Sequence, residues 1–301
     1  MADFVPFKLK LWENPVVALH AIFGQPDTDT DARTDHLQGP HNPRDFAQKL
    51  YTLESLQPPA TRPNVEEQPE PYSLQWFLDI ENQRHSKHGQ WIPDLLEFSK
   101  HSGEKLLGLG HGLGTDWVQY AQNGAQVIVC SPAPPQLELV RRNFELRELP
   151  GRFIQAAPTK LPLDAASIDV VCISSLHHGI DEPETVVEEV YRVLKPGGKV
   201  LAVTPAYYDV DYWVRTLFFW NRWFQPHRGK NPLRCKRRLS GWQMSDLFQR
   251  FTEITIYKRQ LRRAEVPGIL KWIPLSILAR LMGRVLVLKG FKPVREPTDE
   301  D

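Results

Sequence analysis

The sequence predicts an α/β fold in which helices cover both faces of a central, mostly parallel sheet. Short apolar runs alternate with amphipathic helices from Trp76 onward, and this alternation is typical of βαβ units. Ligands of such sheets bind beyond the carboxyl ends of the strands. We therefore expect functional residues directly after Leu107, Cys130, Gln155 and Ser174.

The predicted elements follow one another in a regular order. Strands are expected at residues 105–109, 126–130, 152–155, 168–174 and 199–203, where short apolar runs occur. Helices are expected at residues 76–88, 92–98, 115–123, 136–149 and 182–194. The last helix carries five apolar residues on one face and ends before Pro196-Gly-Gly, a strong stop signal.

The two flanks of this region differ from it in composition. Residues 1–75 carry 10 of the 26 prolines, which predicts an irregular N-terminal arm before a domain at residues 76–301. Aromatic and basic residues are dense at residues 206–265, where we expect a cover over the ligand site. The apolar stretch from Val266 to Leu288 is interpreted as the domain's last helix and a final strand at 285–288; docking at a lipid interface is the alternative.

Composition excludes several classes of protein. The chain has 301 residues with 37 Lys+Arg against 36 Asp+Glu, and this balance excludes a globally basic nucleic-acid binder. The three cysteines share no short spacing, so we expect no metal site, no disulfide framework and a cytoplasmic location. No uncharged apolar run reaches about 18 residues, and a membrane-spanning helix is not expected.

A loop with four alternating glycines follows the first predicted strand. Glycine lets the backbone approach a ligand closely, and the next helix offers unpaired N–H groups at its start. The loop therefore indicates a nucleotide-type site. The dinucleotide pattern G-x-G-x-x-G is not met, because its third glycine would fall on Leu113 or Thr115. The four glycines are Gly108, Gly110, Gly112 and Gly114.

Residues 104–199 resemble the class I S-adenosylmethionine-dependent methyltransferases, in the branch called methyltransferase type 11. Gly110, Gly112 and Gly114 match the glycine run of that family, and Tyr191-Arg-Val-Leu-Lys-Pro-Gly-Gly matches its most recognisable stretch. The resemblance implies a Rossmann-like fold and S-adenosyl-L-methionine as cofactor. The cofactor positions that it implies are Gly108, Gly110, His111, Gly112, Gly114, Ser131, Pro132, Ala156, Ala157 and Ser174.

Three positions depart from the family pattern. The family usually has carboxylates before the glycines, at the end of the second strand and near the adenine, where this chain has Gly108, Ser131 and Ala157. A hydrogen bond to a charged group contributes about 1.5–3 kcal/mol, and a micromolar site corresponds to about −8 kcal/mol. Losing two such bonds without compensation would move the affinity toward millimolar, although Ser131 offers a hydroxyl to the ribose.

Two histidines after the fourth strand, His177 and His178, are the candidate catalytic residues. Either could act as the base that deprotonates an acceptor, but we favour a role in shaping the loop. We expect His111 to fill part of the cofactor space or to cap the next helix, and Asp116 to begin that helix. Cys172 lies inside a strand and is expected to be buried and inert.

The basic segment at residues 222–263 holds 12 Lys+Arg against two acids. This charge suggests a phosphate-bearing or lipid-linked acceptor, or an anionic membrane surface, while a solvated basic face over core aromatics is equally open. No RNA-binding motif accompanies the charge, so nucleic acid is disfavoured as a partner.

Three functions remain open on these residues. The leading interpretation is a cytoplasmic S-adenosylmethionine-dependent methyltransferase that acts on a small-molecule or a lipid- or glycan-linked acceptor; peripheral membrane contact is an open alternative for its location. The second is a catalytically inactive methyltransferase-like binding or scaffold protein that has lost the cofactor. The third is an enzyme with a changed cofactor, such as a phosphorylated nucleotide held by Ser131, Arg141 and Arg142.

Overall fold

The computed structural model describes residues 69–86, 89–174, 182–217 and 238–294. Most of the N-terminal arm, the loop with His177 and His178, and part of the basic segment with Cys235 lie outside the described residues.

One seven-stranded sheet forms the centre of the described part. Its strand order is β3-β2-β1-β4-β5-β7-β6; the first five strands along the chain pair in parallel, and β7 runs antiparallel to β5 and β6. This confirms the predicted fold class. The strands are β1 (Lys105–Gly110), β2 (Gln126–Ser131), β3 (Arg152–Gln155), β4 (Ile168–Ser174), β5 (Leu194–Pro205), β6 (Thr252–Arg259) and β7 (Val285–Phe291).

Helices cover both faces of the sheet, and strand side chains that point to opposite faces enter two separate cores. Leu106 faces a core that holds Trp117 and Phe144, whereas Leu107 faces a core that holds Val190. This two-sided burial is what makes parallel strands continuously apolar. The helices are α1 (Leu74–His85), α2 (Trp91–Leu96), α3 (Thr115–Gln122), α4 (Pro134–Glu145), α5 (Pro183–Val193), α6 (Val210–Leu217), α7 (Gly241–Leu247) and α8 (Leu275–Met282).

Two helices begin with proline, which explains one displaced boundary. Pro134 and Pro183 stand in the first turns of α4 and α5, where the missing N–H costs nothing and the fixed φ suits the helix. The sequence predicts α4 from residue 136, two residues late, because the run Pro132-Ala-Pro-Pro indicates a loop when it is considered without the structure.

The edge strand β6 is not predicted from the sequence. It lies within residues 206–265, where a cover was expected, but it pairs with β7 along the sheet. Ile254 and Ile256 pack against one core, while residues such as Thr252, Glu253 and Thr255 are exposed. Polar residues of this kind are common on edge strands, and they hide the apolar run on which strand prediction depends.

The ends of three parallel strands lie level with one another. Gly110 of β1 pairs with Ser174 of β4, which pairs with Val203 of β5. We call this side the carboxyl edge of the sheet. The antiparallel strand β7 begins at the same edge, since Val285 pairs with Pro205, so α8, which ends just before β7, also leads to it.

Among the described helices, none combines the length and the apolar character needed to cross a membrane.

Candidate functional site

The glycine loop between β1 and α3 lies at the carboxyl edge. Gly110, Gly112 and Gly114 all have positive φ, at 111°, 142° and 77°. A Cβ on Gly110 would lie 1.7 Å from the carbonyl oxygen of Ser174, so no other residue fits there. The His111 N–H donates to that same carbonyl over 3.2 Å. The loop therefore exposes backbone, and it is held against the end of β4.

A buried glutamine ties the glycine loop to the end of β2. Gln136 Nε2 donates to the carbonyl oxygens of Gly110 (2.9 Å) and Gly112 (3.2 Å). Its Oε1 accepts from Ser131 Oγ (3.0 Å) and lies 3.2 Å from His111 Nδ1. No role for Gln136 is predicted from the sequence. The sequence shows only that Gln136 is a polar residue in the first turn of a helix, and this position does not predict that its side chain is buried.

Ser131 is already hydrogen-bonded through its side chain to other groups of the protein. Its side chain is buried, its hydroxyl donates to Gln136, and its oxygen accepts from the N–H of Ala133 over 3.2 Å. A ligand hydroxyl would therefore compete with two internal hydrogen bonds for this group.

The position before the glycines has no room for a side chain. A Cβ on Gly108 would lie 2.7–2.8 Å from three indole atoms of Trp117, which is itself fully buried in α3. Real Cβ atoms essentially never approach this closely, so the ring would have to shift. Trp117 thus fills the space beside β1 that a side chain at residue 108 would need. A change at either residue therefore affects what the other position can accommodate.

Asp116 in the first turn of α3 is buried in an ion pair with α1. Arg84 Nε donates to Asp116 Oδ1 over 2.6 Å and Arg84 Nη2 to Oδ2, while His85 Nε2 lies 3.6 Å from Oδ1. Burial would raise the pKa of the Asp116 carboxyl, but the charge of Arg84, its two hydrogen bonds and the nearby His85 outweigh it and hold that pKa well below its usual range. The pair anchors α1 against the helix that begins at the glycine loop.

The end of β3 lies beside the end of β2. The N–H of Ala156 donates to the carbonyl of Ser131 over 3.2 Å, and Ala156 packs partly against the core. Ala157 is exposed, as is Pro132. Of the three positions where the resemblance leads us to expect a carboxylate, Gly108 and Ser131 are buried and Ala157 is open to solvent.

Beyond β5, two half-exposed tyrosines lie at the carboxyl edge. Tyr207 and Tyr208 have 48% and 38% of their surface exposed, and their rings contact each other and the ring of Tyr212 at centroid distances of 4.9–5.8 Å. No role for these tyrosines is predicted from the sequence. The two candidate catalytic residues, His177 and His178, lie outside the described residues.

Thiol and metal chemistry have no support at the described positions. Burial raises the pKa of the Cys130 thiol to about 11 and that of the Cys172 thiol to about 12, so both stay protonated at neutral pH. Within the described ranges, no three His, Cys, Asp or Glu side chains are grouped so that they could hold a metal ion.

Comparison with known proteins associates the central segment with methyl transfer. Residues 106–202 match the family model described as a methyltransferase domain. The chain is 36% identical over 100 residues to a demethylmenaquinone methyltransferase of Clavibacter sepedonicus, a match that covers 33% of this chain and 40% of that protein. It is 32% identical over 160 residues to the human thiol S-methyltransferase TMT1A, covering 52% of this chain and 62% of that one.

These matches cover only part of each protein. The chain spans 40% to 46% of the length of three bacterial demethylmenaquinone methyltransferases that it matches. Among solved structures, the cyclase SpnF aligns with a TM-score of 0.50 at 17% identity, over 84% of this chain and 95% of that one. This likeness concerns the fold alone, and the name of that neighbour illustrates that one fold supports more than one reaction.

Proposed function

We propose that this protein is a S-adenosylmethionine-dependent methyltransferase that acts on a small-molecule acceptor. The observation that carries the proposal is the glycine loop, which presents backbone at the carboxyl edge inside the segment that matches a methyltransferase domain. S-Adenosyl-L-methionine, when bound, supplies an electrophilic methyl group on a sulfonium. The protein's part is to hold the acceptor in line with that group and to keep water out.

The loop fits the cofactor through its backbone. The positive φ of Gly110, Gly112 and Gly114 lets the chain turn at the carboxyl edge without side chains on these residues, and the dipole of α3, which begins directly after the loop, favours a ligand carboxylate there. In the proposal, the loop from Gly108 to Gly114 with His111 holds the amino-acid end of the cofactor. Ser131, Pro132, Ala156 and Ala157 line the nucleoside, and Ser174 borders the acceptor.

The side chains provide less than the backbone. Gly108 and Ala157 offer no hydrogen bond from a side chain, and Ser131 already makes two internal ones. With two charge-assisted bonds missing, at about 1.5–3 kcal/mol each, a site that would otherwise be micromolar is expected to have a dissociation constant between about 0.2 and 25 mM.

The acceptor side of the proposal depends on the ends of β4 and β5. Tyr207 and Tyr208 could stack on a planar acceptor there, and His177 or His178 would serve as the base if the acceptor needs one. The named relatives methylate a menaquinone precursor and thiols. Both are small molecules, and the menaquinone precursor suggests a lipid-soluble acceptor. The proposal also includes an acceptor that is linked to a lipid or a glycan, or one that is anionic.

A second candidate is a binding protein that no longer uses this cofactor. Two observations favour it: Trp117 fills the space beside Gly108, and Ser131 is bonded to Gln136 rather than facing a ligand. In this case the fold would be retained for another ligand or for a protein partner, and no methyl transfer would occur.

Calorimetric titration with S-adenosylhomocysteine separates the two candidates. We expect saturable binding with a dissociation constant in the range given above, and Ala157→Trp should abolish it by covering the exposed nucleoside side. The matched control is Ala264→Trp, at an exposed alanine outside the proposed site. Absence of heat up to about 25 mM ligand, or equal binding by both variants, would refute the proposed cofactor site and favour the second candidate.

A further inference from the structure

The outer face of the segment before β7 exposes large apolar side chains. Trp272 is 81% exposed, Ile269 68%, Leu281 58% and Ile277 50%. The opposite face of the same segment is buried, since Leu278 and Met282 pack with Val210, Leu261 and Val266. The segment is therefore a folded layer over the carboxyl edge with one face packed and one face apolar and open. We call the four exposed residues and their surroundings the cap face.

The charges around the cap face are of one sign. From Val266 to Val294 the sequence contains no Asp or Glu, while Lys271 and Arg280 are exposed beside the apolar residues. Three acids of the described residues close to this segment are paired with arginines. Arg284 pairs with Asp211 (2.9 Å), Glu265 (3.1 Å) and Asp209 (3.4 Å), and Arg238 also pairs with Asp209 (2.5 Å).

The cap face is continuous with the carboxyl edge. Lys258 Nζ donates both to the carbonyl oxygen of Tyr208 and to that of Leu281, the latter over 2.6 Å, so these two exposed residues are neighbours. Trp213 Nε1 also donates to the Leu281 carbonyl over 3.2 Å. The exposed apolar surface thus runs from the tyrosines at the end of β5 to Trp272.

We propose that the cap face docks on an anionic lipid bilayer. Exposed Trp, Leu and Ile partition into the headgroup boundary, Tyr and Trp favour the interface between lipid and water, and unopposed Lys and Arg are attracted to anionic headgroups. Docking in this orientation turns the carboxyl edge toward the membrane, where a lipid-soluble acceptor could enter. That last step rests on the proposed function, whereas the binding itself does not.

Vesicle co-sedimentation of the full chain tests the docking. We expect binding to vesicles that contain phosphatidylserine, weaker binding as salt is added, and little binding to phosphatidylcholine alone. Lys271→Glu with Arg280→Glu should lower the partition coefficient by about 30-fold or more, because each basic residue near the surface contributes about a factor of five. Ile269→Glu should weaken binding by removing apolar burial.

Two matched variants control for charge and folding. Arg142→Glu reverses an exposed charge on α4, and Val294→Glu changes a residue that is 77% exposed next to Gly197, on the opposite edge of the sheet. Both should bind as the unchanged protein does, and all variants should melt at similar temperatures. Equal binding by cap-face and control variants, no binding at all, or a dimer that forms through this face would overturn the proposal. Failure of cofactor binding would leave vesicle binding unchanged.

Discussion

Gly108 should tolerate a side chain only when Trp117 is made smaller. In the unchanged protein a Cβ at residue 108 would meet three atoms of a buried indole at 2.7–2.8 Å. Overpacking of this kind costs about 1–3 kcal/mol. At about 3 °C for each kcal/mol in a large domain, Gly108→Ala should lower the melting temperature by roughly 3–9 °C.

The same substitution should have the opposite sign in a Trp117→Leu background. The clash is gone there, and alanine in a strand is favoured over glycine by about 0.5–1 kcal/mol because it loses less chain entropy. Gly108→Ala should then raise the melting temperature by roughly 1–3 °C relative to Trp117→Leu alone. The coupling between the two sites is therefore about 1.5–4 kcal/mol, which overlaps the upper part of the range of about 0.5–3 kcal/mol measured for residues in contact.

Differential scanning calorimetry of the four proteins measures this coupling directly. Gly241→Ala serves as the control, because a Cβ there would have no heavy atom within 4 Å and should change the melting temperature little in either background. If Gly108→Ala costs the same with Trp117 and with leucine, the indole is not what excludes a side chain, and the link between the missing carboxylate and Trp117 is wrong.

Two ion pairs give further predictions. Arg84→Met should destabilise the fold by about 3–5 kcal/mol, because the buried carboxylate of Asp116 loses its partner; adding Asp116→Asn should recover part of this in thermal unfolding, and an unchanged melting temperature would contradict it. Lys199 and Lys289 outweigh the effect of burial on Glu97 and lower its pKa from 4.5 to about 2, so its contribution is complete above pH 4.5 and is lost as the pH falls through 2. Glu97→Gln should cost at most about 3 kcal/mol at neutral pH in urea unfolding, and this cost should shrink between pH 5 and 2; a cost independent of pH would refute the assignment.

The parallel half of the fold could be predicted because its signals are local. The bounds of β3 and β4 match the prediction residue for residue, since each strand is a short run enclosed by polar or turn residues. The side-chain contacts that shape the candidate site could not be predicted from the sequence. Nothing in the sequence shows that Trp117 lies over Gly108, or that Gln136 reaches back to Gly110, because these residues are separated by 9 and 26 positions and meet only through the crossing of helix and strand.

The full extent of the antiparallel half also could not be predicted from the sequence. β6 carries exposed polar residues over its first half, and α8 buries only one side, so neither has the uninterrupted apolar pattern of β1 or β4. The sequence leaves open whether residues 266–288 form a core helix or a lipid-facing helix. In the structure one face of α8 packs against the protein and the other face is exposed. The order of apolar residues along the chain does not distinguish this arrangement from a fully buried helix.

Ala157 is the one position of the three where a single substitution can restore a carboxylate. Gly108 is blocked by Trp117, and the space of Ser131 is enclosed by Gln136 and Ala133, so an aspartate at either place must displace buried groups. Ala157 is exposed and meets no such barrier. Ala157→Asp should therefore strengthen binding of S-adenosylhomocysteine by about 10-fold, the equivalent of one hydrogen bond with a charged group, whereas Ser131→Asp should lower stability without this gain. Calorimetric titration measures both. A gain with Ser131→Asp but none with Ala157→Asp would contradict this reasoning, because the enclosed position and not the exposed one would then be where a carboxylate improves binding.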